Sequence, residues 1–333
     1  MTRRFAALAF VCLLGAVPAY GQTVAAEVSQ SVGVSTEDIA GAGTQARVLG
    51  ETASGLRLQL EGAWGARSTE TESDVFGTAY PYGGGFQVIE AYGEYLFAPR
   101  QWLRSVKGGR YRTPFGIYAA SDHAYIGFLR PPLIRYGEYY ALSTGYLEHG
   151  VDVVVGAPRL SVELSVGTPG DVGEAIRRPG VDTVVRAEGT AGSLIVGVSF
   201  IDTTPYMPEQ WAKGRARFGG VDARWMGGGV QIRGEWLGGQ PFDGTTTTGG
   251  YADVIVHRPV MGPVTALLRA ERLAYSAPEP HELYSHRYST GVRVRVWKGL
   301  AAAIGVIHQA GQLTQSRPTA IDFGVTYSAR HDF

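Results

Sequence analysis

The sequence predicts an all-β chain closed into a transmembrane antiparallel β-barrel of about sixteen strands, with its third extracellular loop folded inward. Three observations predict it: an N-terminal export leader, apolar–polar alternation with a period of two residues, and connections that alternate between short and long along the chain.

The leader comes first. Arg3 and Arg4 make a short positive region, and Phe5 to Val17 is an apolar run of 13 residues. Pro18 breaks the run, and Ala19-Tyr20-Gly21 places small residues before a cut ahead of Gln22. This is the pattern of a secretory signal peptide over 1–21. The run is shorter than the ~20 residues a spanning helix needs. The remaining 22–333 is expected to be a single barrel domain. Cys12, the only cysteine, lies inside the leader, so the mature chain is expected to have no disulfide and no cysteine metal site. Removing Arg3 and Arg4 leaves 28 basic against 30 acidic residues, a net of −2 that excludes a nucleic-acid partner.

The composition is that of a wall with one apolar and one polar face. The chain holds 47 Gly and 18 Tyr but 4 Met, and of its 30 basic residues 27 are Arg. No apolar run near 18 residues follows the leader, so no helix is expected to cross a membrane. High Gly and Tyr with modest hydrophobicity fit a barrel in which every second residue meets lipid.

The strands carry the alternation. Leu56-Arg57-Leu58-Gln59-Leu60-Glu61 alternates strictly, as does Val292-Arg293-Val294-Arg295-Val296. Near the end Ile321, Phe323, Val325 and Tyr327 share one face; Asp322, Gly324, Thr326 and Ser328 share the other. Sixteen strands are expected at 26–35, 45–52, 56–67, 85–97, 101–112, 143–157, 159–167, 181–190, 193–202, 215–226, 229–239, 250–258, 262–275, 285–297, 299–310 and 320–333. With both termini periplasmic, the inside turns are a few residues long, such as Ala191-Gly192, Gly227-Gly228 and Lys298. The outside connections 68–84, 113–142, 168–180, 203–214, 240–249, 276–284 and 311–319 are longer. That asymmetry is expected of a transmembrane barrel and not of a soluble sandwich.

The longest connection, Thr113 to Leu142, carries Tyr118, Tyr125, Tyr136, Phe115, Ile117, Phe128, Leu129, Leu133 and Ile134. A segment this apolar is costly in water, so it is expected to pack on the inner wall at the barrel mouth. Candidate constriction residues are Arg110, Arg112, Tyr118, Asp122, Arg130, Arg135 and Glu138, with Arg293 and Arg295 on the lumen wall. Charged rings in a pore set ion preference. Four arginines against two acids predict a mild preference for anions. Arg130 is the favoured residue, because Pro131-Pro132 fixes its direction. The bland alternative for each is a solvated lumen residue or a packing ion pair.

Gly109-Arg110-Tyr111-Arg112-Thr113-Pro114-Phe115-Gly116 resembles the segment entering the constriction loop of porins in the broad general and phosphate-selective porin group. The resemblance implies a Gram-negative outer-membrane channel for small hydrophilic solutes or ions. It also implies a homotrimer formed through apolar barrel walls. A lysine-rich phosphate trap is excluded, because Lys107, Lys213 and Lys298 are the only lysines. The final residue, Phe333, resembles the aromatic signature by which the barrel-assembly machinery reads outer-membrane barrels. No cofactor or metal is expected. His286 and Ser289 face opposite sides of a strand, and His281, Glu282 and His286 have no fixed ligand spacing. A lipase-like barrel enzyme, a closed adhesive barrel and a hydrocarbon transporter with an N-terminal plug are the other readings.

Overall fold

The computed structural model describes residues 22–67, 86–117, 128–130, 132–135, 147–170, 180–203, 215–241, 245–257, 263–276, 282–311 and 318–333. The expected leader, 1–21, lies outside the described residues. The strands are β1 Gln22–Ser35, β2 Ala40–Thr52, β3 Leu56–Arg67, β4 Phe86–Leu96, β5 Leu103–Arg112, β6 Leu147–Ala157, β7 Leu160–Gly170, β8 Asp182–Ala191, β9 Leu194–Thr203, β10 Ala216–Gly227, β11 Val230–Gln240, β12 Thr246–His257, β13 Val264–Ser276, β14 Glu282–Trp297, β15 Leu300–Gly311 and β16 Thr319–Asp332. Each pairs with its sequence neighbour, and β1 pairs antiparallel with β16, so the sheet closes into a barrel.

The sixteen expected strands are all present, with edges displaced by a few residues. The largest displacement, at β2, falls where side chains are too small to show alternation, and that at β12 falls in a run that is polar throughout. β2 begins at Ala40 in Ala-Gly-Ala-Gly, and β12 begins at Thr246 in Thr-Thr-Thr-Gly. The first connection therefore shrinks to residues 36–39, with Asp38 at a φ of 64°. Short turns close the other end. Between β14 and β15 the turn is Lys298-Gly299; Gly299 has a φ of 79°, and a Cβ there would lie 2.4 Å from the Ser328 carbonyl.

The faces separate as the alternation requires. On β16, Ile321, Phe323, Val325 and Tyr327 are 36–47% exposed, whereas Asp322 and Thr326 are 0% and 5%. The first set looks outward and the second into the bore. Val325→Arg is expected to cost about 2–4 kcal/mol, the penalty for a cation on the lipid face near the midplane. Thr326→Arg should cost clearly less, and urea unfolding in bilayers compares the two. Equal costs would reject the assignment of faces.

Candidate functional site

The inner wall is a lattice of paired charges, and register explains the pairs. Arg233 of β11 lies opposite Asp253 of β12, which lies opposite Arg269 of β13. Asp253 accepts from Arg233 Nε at 2.9 Å and from Arg269 Nε at 2.6 Å. Glu271, opposite Arg287, accepts from Arg287 Nε at 2.6 Å. Arg186 of β8 reaches past β9 to Asp222 of β10 at 2.6 Å. It can do so because Gly197 stands between them; a Cβ there would lie 2.4 Å from Arg186 Nη2. Lys107 of β5 sits 3.4 Å from Asp152 and 3.7 Å from Glu163. Apart from Lys107 and Glu163, which are half-buried, these groups are buried, and charges out of bulk water need such partners.

Two described pieces of the long connection rest on this lattice. The first leaves the end of β5. Arg112 sits between Glu61, at 2.5 Å, and Glu90, and its backbone N–H also donates to Glu90. The chain then turns inward: Phe115 is fully buried among Val184, Ile201, Phe218 and Leu237. Gly116 N–H donates to Ser199 Oγ at 3.1 Å, and Ile117 N–H to Glu235 Oε2 at 3.2 Å. Gly116 has a φ of 58°, and a Cβ on it would lie 1.8 Å from Glu235 Oε1. Glycine is thus required by backbone and by space.

The second piece, 128–130 and 132–135, adds a clasp. Arg130 donates from Nε and Nη2 to the two oxygens of Asp322 at 2.7 and 2.8 Å, and from Nη2 to Ser35 Oγ at 3.0 Å. Its Nη1 lies 2.7 Å from Glu37 in the β1–β2 turn. Leu129 packs with Ile39 and Ala303. Arg269 donates to the Arg130 carbonyl at 3.0 Å, and the Phe128 ring lies 4.0 Å from the Arg269 guanidinium. Leu133 N–H donates to Glu271 at 2.8 Å, and Leu133 and Ile134 join the Phe115 cluster. A segment that leaves the wall at β5 is therefore held on β9 to β11, and again on β13 and β16. β13 is eight places from β5 in the ring of sixteen, the opposite side of the bore.

Of the expected residues, Arg112 and Arg130 enter this network. Arg110 does not. Its partner across the ladder is Ala91, on the face opposite Glu90 and Tyr92. It donates to the Ile89 carbonyl at 3.2 Å and lies 3.1 Å from His149 Nε2. Arg135 ends a short 3₁₀ turn, Leu133–Arg135. Tyr118, Asp122 and Glu138 lie outside the described residues. Arg293 shares the inward parity of Arg287, opposite Thr265 and Ala303, and Arg295 follows opposite Ala301. Sequence reasoning missed Glu37, Ser199, Glu235, Arg269, Glu271 and Asp322. One signal was available: Arg233-x-Glu235 and Arg269-x-Glu271 each put two opposite charges on one face of a strand.

A closed antiparallel barrel of sixteen strands, apolar outside and charged inside, defines a porin-like fold. No family model and no curated protein sequence matches the chain. Solved structures do match. OmpF of Salmonella typhi, determined with daunomycin, covers 92% of this chain and 97% of its own at a TM-score of 0.65 and 11% identity. OprB of Pseudomonas putida covers 93% and 94% at 0.63 and 7% identity. An anion-selective porin from Comamonas acidovorans covers 94% and 99% at 0.62 and 12% identity. OmpT of Vibrio cholerae, an outer membrane protein in a trimer form, covers 93% and 100% at 0.60 and 12% identity. The architecture is that of the outer-membrane porins.

Proposed function

We propose that the chain is a passive outer-membrane channel for small hydrophilic solutes or ions, narrowed by segment 113–142. The observation that carries this reading is the pinning of the segment's two described pieces to the wall across the bore from its origin. A connection held there occupies cross-section that solutes would otherwise use. Shortening the segment to a Gly-Ser link is expected to raise single-channel conductance in planar bilayers. Conductance that does not rise would mean that the segment is not the constriction.

The charge preference follows from the pairs and not from a count of arginines. Arg112 is met by Glu61 and Glu90, and Arg130 by Glu37 and Asp322. Arg110 faces away from the bore. The paired acids outnumber Arg112 and Arg130 four to two, so the excess that favoured anions is reversed, and we assign the constriction a mild preference for cations. Arg293 and Arg295 tint the wall nearer the short turns.

The other readings have less support. His286 lies opposite Arg272 on the outer face and Ser289 opposite Arg269 on the inner face, so no lipase-like pair forms on β14. Residues 22–52 build β1, β2 and their connection, and so supply no N-terminal plug. A closed adhesive barrel predicts no conductance even with the segment shortened. We assign residues 1–21 to export and the barrel to the outer membrane. A homotrimer is the assembly we favour, supported by the trimer form of OmpT. Phe333, whose N–H bonds to the Val24 carbonyl at 2.8 Å, is the proposed contact for the assembly machinery. Deleting it should lower the outer-membrane yield and leave protein in the periplasm. Fractionation checks this, and an unchanged yield would make the residue incidental.

A further inference from the structure

The outer face of the wall carries a groove of about 570 Å³ that spans β9 to β14. Its floor is one register row of small residues: Ala223 lies opposite Gly234, Gly234 opposite Ala252, and Ala252 opposite Ala270. Val196 and Tyr288 close the two ends of the row. The row on one side holds Trp225, Ile232 and Leu268, all exposed and bulky. The row on the other side holds Val221, Trp236, Gly250 and Arg272. Small side chains between large ones make a furrow. Six neighbouring strands give it a length of about 24 Å at ~4.8 Å per strand.

Arg272 is the anomaly. It is exposed on the outer face and lines the groove. Among the described residues its side chain has no hydrogen bond and no ion pair. Other outward cations are satisfied within the protein: Arg217 pairs with Asp202, and Arg110 lies beside His149. Arg272 stands four residues from the end of β13 that enters a long connection, level with Trp236. Exposed aromatic residues mark the level where hydrocarbon gives way to headgroups. An unpaired guanidinium facing lipid is costly unless an anion reaches it there.

We propose that this groove binds one phosphate-bearing lipid, with an acyl chain in the furrow and the phosphate on the Arg272 guanidinium. Guanidinium and phosphate form short, charge-assisted, two-pronged hydrogen bonds. The site rests on the outer face meeting lipid and is independent of what passes through the bore, so Arg272→Gln should leave conductance unchanged. The test is native mass spectrometry of the full chain, folded in detergent with dioleoylphosphatidylglycerol or with a galactolipid bearing the same chains. Wild-type protein should retain one phosphatidylglycerol, and the phosphate-free lipid at least tenfold less. Arg272→Gln should weaken phosphatidylglycerol retention at least fivefold, and Arg272→Lys should restore most of it. Ala252→Phe, or Ala270→Leu if the first fails to fold, fills the furrow and should abolish retention. Heat-shifted mobility in gels confirms that each variant is folded. Equal retention by wild type and Arg272→Gln would overturn the proposal. So would a filled furrow that still holds lipid, and loss of an oligomer on filling without loss of lipid would give the groove to a second copy of the chain.

Discussion

Arg130→Glu is expected to release the 128–135 piece from the wall and to move the reversal potential towards cations. In the native protein one guanidinium answers Asp322, Glu37 and Ser35, and the side chains of Arg130, Glu37 and Asp322 are at most 3% exposed. A glutamate would set three carboxylates together with no cation. Breaking a buried pair by removing one partner costs about 3–5 kcal/mol, which exceeds what the neighbouring apolar contacts of Leu129 can offset alone. The barrel wall is untouched, so the expected phenotype is local: higher and noisier single-channel conductance, and a bore two charges more negative at the clasp. Bilayer recordings under a salt gradient read both quantities. A folded variant with wild-type conductance and reversal potential would mean that the clasp neither shapes nor charges the path.

Phe115→Ala is expected to loosen the other attachment. The ring is fully buried in one cluster with Val184, Ile201, Phe218 and Leu237 of the wall and Leu133 and Ile134 of the second piece. Truncating a core Phe typically costs about 3–5 kcal/mol. Here the loss falls on docking of the segment, since β8 to β11 keep their ladder bonds. Limited proteolysis within 118–146 should therefore accelerate while the unfolding midpoint of the barrel changes little. A large fall in that midpoint with no added cleavage would show that Phe115 supports the wall rather than the segment. Arg130 and Phe115 hold the segment at different places on the wall, so the double variant should exceed either single one in conductance.

The strands were legible because lipid and lumen impose opposite demands on successive residues. Leu56 to Glu61 and Ile321 to Ser328 carry both demands in their side chains, and the structure places them as the alternation requires. Legibility failed where the side chain vanishes, in Ala40 to Gly43, and where successive side chains are alike, in Thr246 to Thr248; both are wall, yet display no alternation. The site was legible in part. The apolar content of Thr113 to Leu142 marked it as a segment needing cover, and Arg112 and Arg130 do take part. Their partners were not legible. Asp322 is 192 residues from Arg130, and Glu61 is 51 from Arg112; register brings them together, and register emerges only once sixteen strands close. A count of charges within the segment omitted the acids on the wall. Arg110 was misplaced because shared parity with Arg112 was taken as a shared face, and the chain turns inward between the two.

The closure of β1 on β16 has a consequence for how the barrel is made. Fifteen of the sixteen strand pairings join neighbours in sequence; only Ala25 with Asp332 and the pairs that follow it span the whole chain. The neighbour pairings are local and inexpensive in chain entropy, whereas the last must bring distant ends together. Until that seam forms, β1 and β16 are two raw edges with unsatisfied backbone groups, which hydrocarbon does not tolerate. The intermediate with the greatest need of a protective surface is thus the nearly finished sheet, and the seam is the place where a chaperone or a half-open insertion scaffold has to stand.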